Sequence, residues 1–452
     1  MFFRCASFIY ALNALYHRPT DKNVARTRTV ATRCGAVGLK LLQFLVSIDG
    51  IFAESVREDL AFVFDACECH SWADTLAMYR EDFGHDLHED FVAPSACFEV
   101  RPIGSGSIGQ VYKLRHRSTD TFVAVKVKHP GIDNTVHSFI RSISWIVQLI
   151  EYFAIIPFMF LVKEFIGNVK IQLDYRNEAT SMEKMAAMFA NDYHIIIPKV
   201  LCNSPRFIVM TYHDGRSYNC ITDDTLLRKI SSDLYLFMLT SALVHDFIHC
   251  DLHVGNWKVM VPYPYGGYQI ILYDFGLVSS TGNLALNKRI VTAMFRNDLE
   301  DLAEVIMPTV RSHIRWPELM AYIAELKQRT DRNIHQIYTA MVRKASTLGV
   351  PFNVDVIRMI QGLNICDSIM NVSREKVLSV LGERGDCREV ILCYNSALLG
   401  KLGKYADLKQ ILDTWIDEDP NIRRVFEDWL FDTFGHRDAS VFIDIMVDGA
   451  VF

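Results

Sequence analysis

His249-Cys250-Asp251-Leu252-His253-Val254-Gly255-Asn256 sets an aspartate and an asparagine five residues apart, and Asp274-Phe275-Gly276 follows at the end of the apolar run Ile270–Tyr273. Carboxylate and amide oxygens on short loops are the donor types that hold a hard cation and orient a reacting hydroxyl. His249 and His253 are open to a reading as metal ligands. With the Asp-Phe-Gly downstream, both are assigned positioning roles inside the loop.

Upstream, Gly104-Ser105-Gly106-Ser107-Ile108-Gly109 lies between two strand-like stretches. Glycines let a loop turn tightly and bring its N–H groups to a phosphate. Alone this pattern also fits an ordinary hairpin turn, and the absence of a following helix argues against a dinucleotide fingerprint. Seventeen residues beyond Gly109, Val123-Ala124-Val125-Lys126 places a lysine in an apolar strand. Lys126 is suited to pairing phosphates, whereas Lys128 is expected to be an edge-strand solubility lysine. Glu178 then lies in a helical stretch, where it can pair with Lys126 and keep it charged.

These five elements stand in the order of a protein-kinase ATP site. Gly104, Ser105, Gly106, Ser107, Gly109 and Lys126 are the candidate nucleotide contacts, and Asn256 and Asp274 the candidate Mg2+ ligands. Asp251, Lys126 and Glu178 form the candidate catalytic set, with Asp251 accepting or positioning the acceptor's proton.

The remaining sequence sets limits. The 452 residues allow two or three packed units, and a net charge of -6 carries no global basic field, which disfavours nucleic acid as a partner. Eleven scattered cysteines without a CxxC pair fit reduced thiols in an intracellular compartment. The leading segment, residues 1–33, holds Arg4, Arg18, Lys22, Arg26 and Arg28 within residues 1–30 against a single acid, Asp21. It fits either an organelle transit peptide or a helical lead-in with a solvated face. Residues 34–96 read as a helical extension, and 97–218 as a sheet-bearing lobe with a helical insertion at about 131–170. Residues 219–452 read as a helical lobe carrying both chemical loops. Ile195–Leu201 and Phe207–Tyr212 are expected strands, and Trp257–Leu272 a hairpin turning at Pro-Tyr-Gly-Gly. Trp145–Val162 is largely apolar but interrupted by Gln148, Glu151 and Pro157. A buried helix pair or an interface-seeking face is expected there, since a free span needs about 20 apolar residues. The fold class is α+β and two-lobed.

With these residues in place, the chain resembles the UbiB/ADCK family of atypical kinase-like proteins over most of residues 34–300. The marks are Lys40-Leu41-Leu42-Gln43, Pro102–Tyr112, Asp174-Tyr175-Arg176-Asn177-Glu178-Ala179 and His249–Asn256, with a 52-residue step from Lys126 to Glu178. The resemblance implies a protein-kinase-like fold, ATP and Mg2+ binding, and nucleotide-site contacts from Lys40 and Gln43. It also implies a mitochondrial setting linked to ubiquinone biosynthesis or lipid handling, with a membrane surface or membrane-associated complex as partner. Leu42 stands where the family has glycine, which puts close packing of that helix in question. Ile48 replaces an arginine, Val254 a proline, and Gln172 a carboxylate, so any metal or Lys40 contact there rests on Asp174.

Cys250 leaves no arginine before Asp251, and no Ala-Pro-Glu follows the Asp-Phe-Gly. Both absences point away from a peptide substrate. An ATPase or a phosphotransferase acting on a small-molecule or lipid acceptor fits better. The alternative is a nucleotide-binding pseudokinase scaffold for a membrane-associated complex. A choline- or aminoglycoside-kinase-like enzyme shares the catalytic loop but leaves Lys40–Gln43 unexplained.

Overall fold

The computed structural model describes residues 1–47, 69–92, 100–153, 159–192, 194–261, 267–295, 298–307 and 315–327, with scattered positions at 52, 56, 59–60 and between 340 and 362. Ala61–Phe64, Phe98-Glu99, Ile48, Pro157, the turn at 264–266 and all of 363–452 lie outside the described residues. The chain divides into two compact units. One holds residues 1–184 and 198–212 together with α-helix Trp316–Lys327, and the other holds 185–197 and 213–312.

The first unit opens with α1 (Phe2–His17), α2 (Asp21–Arg33) and α3 (Ala36–Ser47). Apolar residues at helical spacing on α1, Cys5, Phe8, Leu12 and Leu15, are completely buried. They join one apolar cluster with Leu41, Leu42 and Leu45 of α3 and with α6 (Ile132–Phe153) and α7 (Met159–Gln172). Residues 1–33 are helical with a solvated face that carries Arg4, Arg18, Lys22, Arg26 and Arg28, while the opposite face of each helix is core. The packing question over Leu42 is also answered. Its side chain is fully buried in this cluster, where a glycine would leave a cavity. The apolar stretch 145–162 contributes to two packed helices, and no described helix is long and apolar enough to cross a membrane.

A capped helix, α4 (Trp72–Phe83), and a short one, α5 (Leu87–Asp90), lead into the sheet. The helical reading of residues 34–96 fails at its end, since Phe91–Val92 is strand β1, paired with His116 and Arg115. Two residues are too few to show a period, and Phe91 is drawn in by packing on Tyr79. β2 (Gly104–Ser105), β3 (Gly109–His116), β4 (Phe122–Lys128), β6 (Val200–Asn203) and β7 (Phe207–Thr211) complete an antiparallel sheet ordered β1-β3-β4-β7-β6, with β2 also on β3.

Alternation along β4 decides which of its residues face the apolar core. Val123, Val125 and Val127 face a core shared with Trp72, Tyr79, Tyr112 and Phe207. Lys126 and Lys128 therefore project from the opposite face. The reading of Lys128 as a solubility lysine is corrected. It is 2 % exposed and donates to Asp133 Oδ1 at 2.7 Å and to the Leu173 carbonyl, tying β4 to the two insertion helices. α8 (Tyr175–Met188) follows, capped by Asp174, whose carboxylate accepts from Arg176 N at 3.0 Å.

In the second unit, β5 (Ile195–Ile196) runs parallel to β10 (Gln269–Leu272), which pairs with β9 (Trp257–Met260). The single strand expected over Ile195–Leu201 is thus two. Pro198 offers no N–H to a ladder, and the flanking segments join different sheets. α9 (Asp224–Thr240) ends in a π turn, Ser241–His245, before β8 (Ile248–His249), which pairs with β11 (Val278–Ser279). α10 (Leu284–Phe295) and α11 (Leu299–Ile306) follow.

Candidate active site

Lys126 is held in mid-strand between Val111 and Ile208, and its Nζ donates to Glu178 Oε1 at 2.6 Å. Their side chains are 15 % and 6 % exposed. A carboxylate this buried needs its cation, and the pair fixes an ammonium on the sheet face that carries the glycine loop. Tyr175, one turn before Glu178, sets its ring 5.3 Å from the same Nζ.

The glycines differ in what they allow. A Cβ on Gly109 would stand 2.3 Å from the Val127 carbonyl and 2.4 Å from the Tyr175 hydroxyl, so only glycine lets the loop base close against β4 and α8. A Cβ on Gly104 would meet nothing within 4 Å, and one on Gly106 only the Gly109 carbonyl at 3.7 Å. Among the described residues the space at these two positions is open. Ser105 Oγ is buried there without a hydrogen-bond partner among the described residues. Open backbone, an unpaired hydroxyl and an ammonium suit an anionic group such as the ATP phosphates. Ser107 is half-buried in the same loop.

Lys40 and Gln43 stand half-buried and one turn apart on α3, in the helical layer. Asp174, the carboxylate left when Gln172 replaced its companion, is engaged by Arg176 through its Nε at 2.9 Å and Nη2 at 2.6 Å. That guanidinium holds its pKa below the usual carboxylate range, and the residue serves as a helix cap.

In the second unit the candidate catalytic loop spans β8 to β9. Asn256 is buried, and its Nδ2 donates to the Asp251 carbonyl at 2.8 Å and to Asp251 Oδ2 at 3.3 Å. Asp251 itself is 41 % exposed at the side chain. His249 is completely buried, accepts the Asp251 N–H at Nδ1 (3.3 Å), and turns Nε2 to the Tyr273 carbonyl at 3.4 Å. Burial lowers its pKa against the opposing pull of Asp251 and Asp274, so the ring is neutral. It also packs edge-on against Phe275 at 5.0 Å, joining the catalytic loop to the Asp-Phe-Gly. His249 therefore positions, as its place in the sequence implied. His253 accepts the Gly255 N–H at 3.0 Å and lies 3.8 Å from Asp251.

Asp274 adopts a left-handed backbone (φ 55°), uncommon for a residue with a Cβ and costly unless its setting demands it. The Gly276 N–H donates to its carboxylate at 3.2 Å. Among the described residues no cluster of three or more His, Cys, Asp or Glu forms a metal cage. One carboxylate and one amide oxygen, completed by phosphate and water oxygens, is a donor set that fits Mg2+.

Motif reading missed several residues of this neighbourhood. Lys128, Tyr175 against Gly109, and a histidine pair beside Gly106 carry no local signature.

A lysine–glutamate pair under a glycine hairpin, with an Asp…Asn loop clasped to an Asp-Phe-Gly, defines a kinase-like protein of two-lobed α+β fold. Residues 62–306, more than half of the chain, match the ABC1 atypical kinase-like domain, and the chain belongs to that family. It is 26% identical over 284 residues to AarF domain-containing protein kinase 1 of Xenopus laevis, covering 61% of this chain and 52% of that one. To ABC1 family protein MCP2 of Saccharomyces cerevisiae it is 24% identical, covering 59% and 51%. The chain spans about half the length of these curated relatives. Among solved structures, Rv3197 of Mycobacterium tuberculosis in complex with erythromycin aligns with 18% identity and a TM-score of 0.43, covering 73% of this chain and 90% of that one.

Proposed function

We propose that this chain is an ATP- and Mg2+-dependent phosphotransferase or ATPase that acts on a small molecule or lipid. The observation that carries the reading is the buried Lys126–Glu178 pair under an open glycine loop. Lys126 binds the α/β-phosphates and Glu178 keeps its ammonium aimed. The loop amides and Ser105 receive phosphate oxygens. Asp251 orients the acceptor and takes its proton, while Asn256 holds that loop in shape. Mg2+, when bound through Asp274 and Asn256, neutralises charge on the phosphates. The missing Ala-Pro-Glu and the cysteine at 250 favour a non-peptide acceptor.

A role in ubiquinone biosynthesis or mitochondrial lipid homeostasis belongs to the same proposal. So does association with a membrane surface, which the exposed Trp145 and Leu149, one turn apart on α6, support. The basic exposed positions of residues 1–33 support a mitochondrial location.

The test is Mg2+-dependent ADP release by the purified chain beside Asp251→Asn and Asp274→Asn. Loss of release in both variants is expected, and three equal rates would sink the enzyme reading. Nucleotide-induced stabilisation that persists in Asp251→Asn, is lost in Lys126→Ala and accompanies no turnover would favour the scaffold reading.

A further inference from the structure

His129 follows the last residue of β4, and its Nε2 lies 2.9 Å from the Gly106 carbonyl in the glycine loop. Its Nδ1 lies 2.8 Å from Nδ1 of His70, 59 residues earlier in the chain. His70 Nε2 is 2.9 Å from Thr75 Oγ1, which is 3.2 Å from the Tyr112 hydroxyl, which in turn meets Gln110 Nε2. Gln110 is clamped to the His70 backbone. Its Oε1 accepts the His70 N–H at 3.0 Å and its Nε2 donates to the His70 carbonyl at 3.1 Å. Thr75, Gln110 and Tyr112 are completely buried.

Proton counting gives the chain one direction. The backbone clamp orients the Gln110 amide, so Nε2–H faces the Tyr112 oxygen. Tyr112 O–H then donates to Thr75, and Thr75 O–H to His70 Nε2. His70 must carry its proton on Nδ1 and donate it to His129 Nδ1. At the far end a carbonyl only accepts, so His129 carries its proton on Nε2. Each hydrogen is used once, and both rings are neutral. Burial, followed by the nearby His129, pushes His70 down to about 4, which agrees with that state.

The consequence falls on the glycine loop. Across a planar trans peptide the Gly106 C=O and the Ser107 N–H point in opposite directions. Holding the carbonyl on His129 therefore turns the Ser107 N–H away from it, and that N–H donates to no acceptor within the described residues. A glycine peptide is otherwise the easiest in the loop to flip.

We propose that His129 and His70 are positioning residues for the nucleotide loop. His129 Nε2–H locks the Gly106–Ser107 peptide with its N–H presented to a phosphate oxygen, and His70 sets the tautomer of His129 through the chain that begins at Gln110. The assignment rests on the ATP-binding reading of this loop.

Mg-ATP affinity and the ADP-release KM are measured for the wild type, His129→Gln, His129→Asn and His70→Phe, together with melting temperatures. The glutamine amide nitrogen falls near Nε2 and keeps the Gly106 contact, so its affinity stays close to wild type. Asparagine is too short to reach Gly106, and its affinity falls about fivefold, the value of one hydrogen bond. His70→Phe falls similarly, and kcat at saturation changes less than KM. Equal affinity in all four folded proteins overturns the proposal. Side-chain 15N NMR reads the tautomers without nucleotide. His129 protonated at Nε2 and His70 at Nδ1, with coupling across the Nδ1 atoms, is expected, and the reverse pattern overturns it. If the wild type binds no nucleotide, the ATP reading fails, and the tautomers still decide the chain of hydrogen bonds.

Discussion

Lys126 and Glu178 are 52 residues apart in sequence, yet Nζ and Oε1 meet at 2.6 Å with the carboxylate 6 % exposed. Truncating the lysine strands a buried charge, so Lys126→Met should cost about 3 kcal/mol of stability. Glu178→Gln should cost less, because the amide oxygen still accepts. The double variant, free of any isolated charge, should be more stable than the two single costs predict, by about 1–2 kcal/mol. Denaturant unfolding of the four proteins gives this coupling, and additive costs would refute a direct pair.

Gly109 and Gly106 should part company on alanine substitution. Gly109→Ala drives a Cβ against the Val127 carbonyl, part of the β3–β4 ladder that cannot retreat, and should cost about 1–3 kcal/mol. Gly106→Ala has room and should melt within about 2 °C of wild type, given near-neutral surface energetics. A change in nucleotide affinity in Gly106→Ala would then report the phosphate site itself, since the fold is intact. Matching melting temperatures for the two variants would contradict the close approach of Tyr175 and Val127.

The chemical loops were legible because each is short and its residue types are dictated by chemistry. The Lys126–Glu178 pair was named from the order of the motifs, and the two side chains meet in the structure. Burial was not legible at the ends of elements. Lys128 looked like an edge lysine because nothing local shows that Asp133 and the Leu173 carbonyl close over it. Ile195–Leu201 read as one strand despite Pro198, and nothing local shows that its two halves pair in different sheets. The His70–His129 contact is long-range and depends on how α4 lies on the sheet, which no periodicity encodes. Leu42 was a departure from a motif in sequence and is an ordinary core leucine in the helical layer.

Lys128→Met tests the corrected role of that residue. A solvated edge lysine would change stability by less than about 0.5 kcal/mol. The buried ammonium makes charge-assisted bonds to Asp133 and to the Leu173 carbonyl, and removing it leaves a buried carbonyl unpaired. A loss of about 2 kcal/mol is expected. Hydrogen exchange should rise at the start of α6 and around Leu173 before the rest of the sheet responds. An unchanged unfolding midpoint would restore the edge-lysine reading.

Stability should fall with acid in a window set by His70. Its pKa is lowered to about 4 in the folded chain by burial and then by His129, with Asp74 opposing, against 6.5 for the free side chain. Between these values the unfolded chain holds more protons than the folded one, so unfolding is favoured as pH drops. This contribution is complete above about pH 6.5, declines from there to about pH 4, and adds no further slope below. Carboxylates titrate in the lower part of the same range, so a substitution is needed to isolate it. His70→Gln should show a shallower loss of unfolding free energy than wild type between about pH 6.5 and 5, where few carboxylates change charge. Parallel profiles for the two proteins would show that His70 is protonated in the native state, and the neutral ring pair beside Gly106 would then be untenable.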